Sequence, residues 1–305
     1  MGTPDFSVPC LRALVQAGHE VVGVFCQPDK PVGRKQELKA PPVKAAALAL
    51  SLPVVQPKSL RGGEGVRLLE PMAPDLVIVV AYGKILPPDV LAFPKYGCVN
   101  IHASILPKYR GASPIHWAVL NGERETGVTS MQMDEGMDTG DILLCETTPI
   151  GENETTEDLF ERLSTLGAEL MLKTIAQLEA GTLQPKPQDH SQATTVGLLT
   201  KEMSTVDWAA DAQTIHNKIR GLYSWPGAST TLDGKLLKLH SSRMTDKTSR
   251  GQPGEVVCSD GKLLVCCGDG RCVELLEVQP EGKKRMPAAA FLNGRRIPAG
   301  TILGQ

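Results

Sequence analysis

Apolar residues recur along the chain at helical spacing in some segments and in unbroken short runs in others. Leu11, Leu14 and Val15 share one helical face, with Gly18 as a stop, which predicts a helix over 6–17. A short buried strand is expected over 20–26. Pro41 and Pro42 open a helix over 41–50, with proline in its first turn. The run Leu76-Val77-Ile78-Val79-Val80 lies between Asp75 and Gly83 and is mostly β-branched, as suits a parallel strand covered on both faces. Thr155 and Asp158 resemble a capping box; the helix they open carries Leu159, Leu163, Leu166 and Leu170 and closes at Gly181.

Strands alternating with helices indicate an α/β domain with a Rossmann-like open parallel sheet over residues 1–181. Residues 182–200 are polar and weakly periodic and read as a linker. One further helix is predicted over 211–222, from Ile215, Ile219 and Leu222. Three Asp-Gly pairs follow, at Asp233-Gly234, Asp260-Gly261 and Asp269-Gly270, each between short apolar runs, a strong hairpin signal. Residues 225–305 therefore read as a small antiparallel barrel or sandwich, and an OB-like β-barrel is the expectation for a C-terminal domain over 201–305. The length of 305 residues suits two domains of ordinary size.

Composition narrows the class. Charged residues make up 22% and hydrophobic ones 41%, which excludes a disordered polar chain. No stretch reaches the roughly 18 apolar residues of a membrane span, and the first residues show no signal-peptide pattern, so a cytoplasmic protein is expected. The eight cysteines form no C-x-x-C pair and mostly end apolar runs, so they read as buried, reduced thiols. Charge is uneven. Residues 1–200 hold 17 Lys and Arg against 23 Asp and Glu, whereas residues 201–305 hold 15 against 11. A mildly basic C-terminal third fits contact with a polyanion, and equally fits ordinary scatter.

Three polar clusters could carry chemistry. Asn100-Ile101-His102-Ala103-Ser104-Ile105-Leu106-Pro107 follows apolar Cys98-Val99, at what reads as the C-terminal end of a strand, where open α/β sheets place ligands. Asn100 and His102 are two apart, so on a strand they face the same side. An amide donor beside an imidazole can polarise a carbonyl and move a proton; the same residues also fit a capped strand end with a structural histidine. The second cluster, residues 133–141, is an acidic loop whose carboxylates could orient His102, or simply be solvated. Its spacing fails the calcium-loop pattern, and no metal is expected. The third, residues 30–44, holds five basic residues against Glu37 alone and suits phosphate contact or plain solvation. No G-x-G-x-x-G and no Walker motif is present.

Taken together, several segments resemble the methionyl-tRNA formyltransferase family. They are Gly2-Thr3-Pro4-Asp5-Phe6, Gln27-Pro28-Asp29, Ala81-Tyr82-Gly83-Lys84-Ile85-Leu86-Pro87, Asn100-Ile101-His102-Ala103-Ser104, the run 107–114 and Met137-Asp138-Thr139-Gly140-Asp141. The likeness continues through Trp225-Pro226 and the run 279–286. The Asn-x-His and Asp-Thr-Gly pieces alone mark the wider group that uses 10-formyltetrahydrofolate, whose other members act on small amines or sugar nucleotides. By this resemblance Asn100, His102 and Asp138 are the catalytic trio. Asn100 and His102 would donate to the oxyanion, and Asp138 would hold His102. Tyr82, Gly83, Ile85, Leu86 and Pro87, with Ser104, Ile105, Leu106 and Pro107, would line the folate pocket. Arg34, with Lys35 and Lys39, would contact initiator methionyl-tRNA. A monomer is expected. In that family a first β-strand precedes the Gly-Thr-Pro segment, whereas Met1 directly precedes Gly2 here, so the sheet is expected to be short of one central strand.

Overall fold

The computed structural model describes all residues except 33–35, 259–260 and 295–296. Packing divides the chain into two compact units. The first comprises residues 1–111, 126–148 and 160–196; the second comprises residues 112–125, 149–159 and 197–305.

In chain order the main elements of the first half are α1 (Val8–Gln16), β1 (Val24–Phe25), α2 (Pro42–Ala49), β2 (Val54–Val55), β3 (Val77–Val79), β4 (Cys98–His102), α3 (Pro114–Leu120), β5 (Glu125–Gln132), β6 (Ile142–Pro149) and α4 (Thr156–Glu179). Strands β1 and β2 pair in parallel. Strands β3, β4, β5 and β6 lie in that order in a second sheet, parallel between β3 and β4 and antiparallel between β4 and β5. Residues 1 and 2 link the two sheets: Gly2 N donates to Phe25 O, and Val80 N donates to Met1 O. The first unit is thus Rossmann-like in its parallel part but mixed overall.

Between residues 21–25 of one strand segment and 76–78 of the other lies a cavity of ≈ 700 Å³, lined in part by Met1, Cys10, Leu11 and Met72. It is separate from every side chain named above as a candidate for chemistry.

Helix α4 packs closely on β4 and bonds to β5. A Cβ at Gly167 would stand 3.1 Å from the Ile101 side chain, and Thr174 Oγ1 donates to Ser130 Oγ at 2.8 Å. Glycine therefore lets helix and strand approach at the residue between Asn100 and His102. The capping box forms as expected: Thr155 N donates to Asp158 Oδ2 at 3.0 Å, and Asp158 N to Thr155 Oγ1 at 3.3 Å. The polar run 182–196 packs into the first unit, where Thr195–Val196 pairs in parallel with Arg110–Gly111.

The second unit is built on α5 (Ala212–Gly221), β7 (Ala228–Leu232), β8 (Lys235–Thr248), β9 (Val256–Cys258), β10 (Leu263–Cys266), β11 (Arg271–Pro280), β12 (Met286–Pro287) and α6 (Ala288–Gly294). Its antiparallel sheet runs β7-β8-β11-β10-β9, with β12 beside β11. Register shifts along β8 bend that long strand. Asp233 and Gly234 both have positive φ, 50° and 70°, and join β7 to β8 in the two-residue turn that Asp-Gly favours. Asp269-Gly270 lies in the longer connection, residues 267–270, between β10 and β11. Asp260 lies outside the described residues. Asp211 caps α5 by accepting from Thr214 N at 2.9 Å. Ile215 and Ile219 of α5 join Leu237, Leu239, Val265 and Val273 in the core of this unit.

Burial raises the thiol pKa of Cys10, Cys98 and Cys267 to about 12, and raises those of Cys26, Cys266 and Cys272 as well. Cys145 is exposed. A thiol reagent at pH 8 is therefore expected to modify Cys145 on the folded protein. The six buried cysteines should react only on unfolding, which peptide mass spectrometry checks.

Candidate active site

Strand β4 buries all five of its residues. Ile101 points toward α4, so Asn100 and His102 point to the opposite face. They remain only 9% and 6% exposed. Two polar side chains so deeply buried need partners, and each finds one outside its own strand.

His102 Nε2 lies 2.9 Å from Tyr109 O. A carbonyl only accepts, so this contact assigns the ring proton to Nε2 in neutral His102 and leaves the Nδ1 lone pair on the other side. Nδ1 faces Asp138 Oδ2 at 3.7 Å. Asn100 Nδ2 donates to Asp138 Oδ1 at 3.4 Å, and Gly111 N donates to Asp138 Oδ2 at 2.8 Å. The three residues thus converge on one carboxylate. Among the described residues their arrangement leaves a second amide N–H on Asn100 without a partner, and places a ring nitrogen of His102 opposite a carboxylate.

The Asp138 loop is held against sheet backbone. Asp138 sits at φ 55°, in the left-handed region. At Gly140 a Cβ would fall 1.8 Å from Gln132 O, so only glycine fits there. Asp134 Oδ1 also accepts from Gly136 N and from Thr139 Oγ1 within the loop.

The expected folate-lining loops flank this point. Val79 pairs with Asn100, so residues 80–87 leave the sheet beside the trio, at the strand ends. Ile85 is 75% exposed and Leu86 is buried; Pro87 and Ile105 are half-buried. Gly83 has φ 78°. Tyr82 is placed differently: its ring packs among Phe25, Leu60 and Val79, leaving its backbone carbonyl to accept from Thr3 Oγ1 and Gln27 Nε2. Its phenol is buried without a hydrogen-bond partner among the described residues, and burial pushes its pKa up to about 12. Ser104 Oγ is spent on Lys108 O at 2.7 Å, and Leu106 is buried with its N–H on Thr129 Oγ1. Lys39 is exposed on a short hairpin formed by Lys30–Val32 and Glu37–Lys39. Arg34 and Lys35 lie outside the described residues.

Sequence reasoning missed two buried partners of this site, Arg110 and Gln188. Arg110 falls in the matched run 107–114 with no role assigned to it, and nothing in the polar run around Gln188 marks it.

With this geometry in view, the comparisons are specific. A formyl transferase model matches residues 1–175, and a formyl transferase C-terminal domain model matches residues 198–296. The chain is 51% identical over 304 residues to the methionyl-tRNA formyltransferase of Acidobacterium capsulatum, covering 99% of this chain and 98% of that protein. It is 50% identical over 305 residues to that of Solibacter usitatus, covering 100% and 97%.

The chain belongs to the methionyl-tRNA formyltransferase family.

Formyltransferases outside it share the fold. The crystal structure of an N-formyltransferase from Helicobacter canadensis matches with a TM-score of 0.68 at 20% identity, over 92% of this chain and 97% of that one. At the site of this family member, Gly140→Ala must displace either the Asp138 loop or β5. The expected cost is about 1–3 kcal/mol of stability, read from the denaturant midpoint; an unchanged midpoint would contradict the tight packing at Gly140.

Proposed function

We propose that this protein transfers the formyl group of 10-formyltetrahydrofolate to the α-amine of methionyl-initiator tRNA. The full-length identity to methionyl-tRNA formyltransferases supports this acceptor. The convergence of Asn100, His102 and Asp138 supports formyl transfer as the chemistry. Domain by domain, residues 1–181 carry catalysis, residues 182–200 connect while their first part, through residue 196, packs with the first unit, and residues 201–305 bind tRNA through an OB-like barrel. The protein works as a cytoplasmic monomer without a metal.

In the reaction a bond forms between the amine nitrogen and the formyl carbon, and the bond from that carbon to the donor nitrogen breaks. One proton leaves the amine and one returns to the donor nitrogen, so no net proton is consumed. A free α-amine has a pKa of about 7.7–8.0, and its basicity falls away as it bonds to carbon. Negative charge gathers on the formyl oxygen. Asn100 uses one N–H on Asp138 and has the second for that oxygen. His102 is committed at Nε2 to Tyr109 O, so it acts through Nδ1. Nδ1 and the Asp138 carboxylate face each other and can share the transferred proton. Proton transfer therefore falls to His102 with Asp138, and oxyanion donation to Asn100. The apolar surface of Ile85, Pro87 and Ile105, backed by buried Leu86 and Leu106 at the turns beside β3 and β4, suits a flat heteroaromatic ring.

Formylation of methionyl-tRNA with 10-formyltetrahydrofolate tests the reading directly. Activity only with an amino-sugar nucleotide would overturn it in favour of the small-acceptor branch. Asn100→Ala should lower turnover by roughly 10²–10³ while the fold persists; a near-normal rate would remove Asn100 from the mechanism. We place Arg34, Lys35 and Lys39 on the tRNA backbone. Arg34→Ala should weaken tRNA binding and flatten its log–log salt dependence by about 1, with folate binding unchanged. Equal loss of folate affinity would argue against that placement.

A further inference from the structure

Gln188 lies within the polar run that composition marks only as a connector, yet it is 6% exposed. Its Oε1 accepts from Arg110 Nε at 3.1 Å and from Arg110 Nη2 at 2.6 Å. Its Nε2 donates to Asp138 O at 2.9 Å and to Gly140 O at 2.7 Å. All four bonding positions of the amide are filled. The pattern also fixes its orientation, because the flipped amide would face the guanidinium with N–H groups and the two carbonyls with an oxygen.

Arg110 is itself buried, at 7% exposure. Among the described residues its partners are Gln188 and His190 Nδ1, at 3.2 Å, and no carboxylate. Its neighbour Gly111 donates to the Asp138 carboxylate, and Tyr109 O holds His102. The stretch 109–111 is in turn held by the far end of the same polar run. Tyr109 N donates to Thr194 Oγ1 at 2.8 Å, Arg110 N donates to Thr194 O at 2.8 Å, and Thr195–Val196 pairs with Arg110–Gly111.

The geometry points to Gln188 as a positioning residue for catalysis. Through two hydrogen bonds to backbone carbonyls it holds the left-handed turn at Asp138, and with it the carboxylate that faces His102 and Asn100. Arg110 orients the Gln188 amide for that task. This inference rests on the catalytic reading of Asp138 given above. A left-handed non-glycine residue is intrinsically unfavourable and persists only where its surroundings enforce it. Gln188 supplies that enforcement from 50 residues away in the chain.

The test compares Gln188→Met, Gln188→Glu and Asp138→Asn, singly and combined, in the full chain with methionyl-tRNA and 10-formyltetrahydrofolate. Methionine keeps the volume and loses every bond. Glutamate keeps the acceptor for Arg110, now as an ion pair, but cannot donate to the two carbonyls when ionised. A displacement of about 1 Å at a reacting group can cost 10²-fold. Both Gln188 variants should therefore lose roughly 10–100-fold in kcat, with KM for either substrate moving by less than about threefold. Because Gln188 acts through Asp138, the Asp138→Asn/Gln188→Met double variant should be no slower than Asp138→Asn alone. If Gln188→Met fails to fold, Gln188→Glu carries the comparison. Full kcat in Gln188→Glu, or losses that add in full to Asp138→Asn, would overturn the inference while leaving Asp138 catalytic. An active Asp138→Asn would instead overturn the catalytic reading, and the role of Gln188 with it.

Discussion

The burial of β4 is the constraint around which the first unit is arranged. Each of its five residues is buried, and two of them, Asn100 and His102, are polar. One face of the strand presses Ile101 against Gly167 of α4. The other cannot be left unpaired, since a buried polar group without a partner costs about 1–3 kcal/mol. The partners come from two separate stretches, 109–111 and the Asp138 loop: Tyr109 O for His102, Asp138 for Asn100, and Gly111 N for Asp138 itself. The hydrogen bonds that make burial tolerable also orient the groups to which we assign catalysis, the second N–H of Asn100 and Nδ1 of His102.

The second unit answers the same requirement with a histidine that stays out of the chemistry. His216 on α5 is 1% exposed; Nδ1 lies 2.9 Å from Ser242 Oγ and Nε2 lies 2.9 Å from Glu152 O. Burial lowers its pKa. Arg220, one turn on, donates to Gly151 O and Glu154 O. Residues 149–159 are thereby pinned onto α5, which explains in physical terms why they group with the C-terminal residues. A buried histidine is thus no mark of catalysis. His102 differs in facing a carboxylate, Asp138, whose Oδ2 lies 3.7 Å from its Nδ1.

Much of the fold was legible because local rules act locally. The Thr155–Asp158 box, the Asp211 cap and the Asp233-Gly234 turn each appear where the residues foretold them. The strand expected over 20–26 shrinks to Val24–Phe25, because only those residues find a partner in Val54–Val55. The sheet expected to be parallel throughout turns antiparallel at β4–β5, and no apolar run records the direction of its neighbour. Tyr82 stands in a motif yet turns its ring into the core.

By itself the sequence determined the alternation of strands and helices, the Asp233-Gly234 turn and the pairing of Asn100 with His102 on one face. Each of these follows from spacing over a few residues, where backbone geometry alone sets which side chains meet. Only the tertiary structure decided that Asp138 closes on both of them, that His102 Nε2 is spent on Tyr109 O, and that the polar run 182–196 belongs to the site. Those facts depend on contacts between residues up to 85 positions apart, such as Tyr109 with Thr194. A polar side chain in a connector carries no periodic signal. What gives Gln188 its place is a buried guanidinium on one side and two carbonyls on the other, and these come together only when the chain has folded.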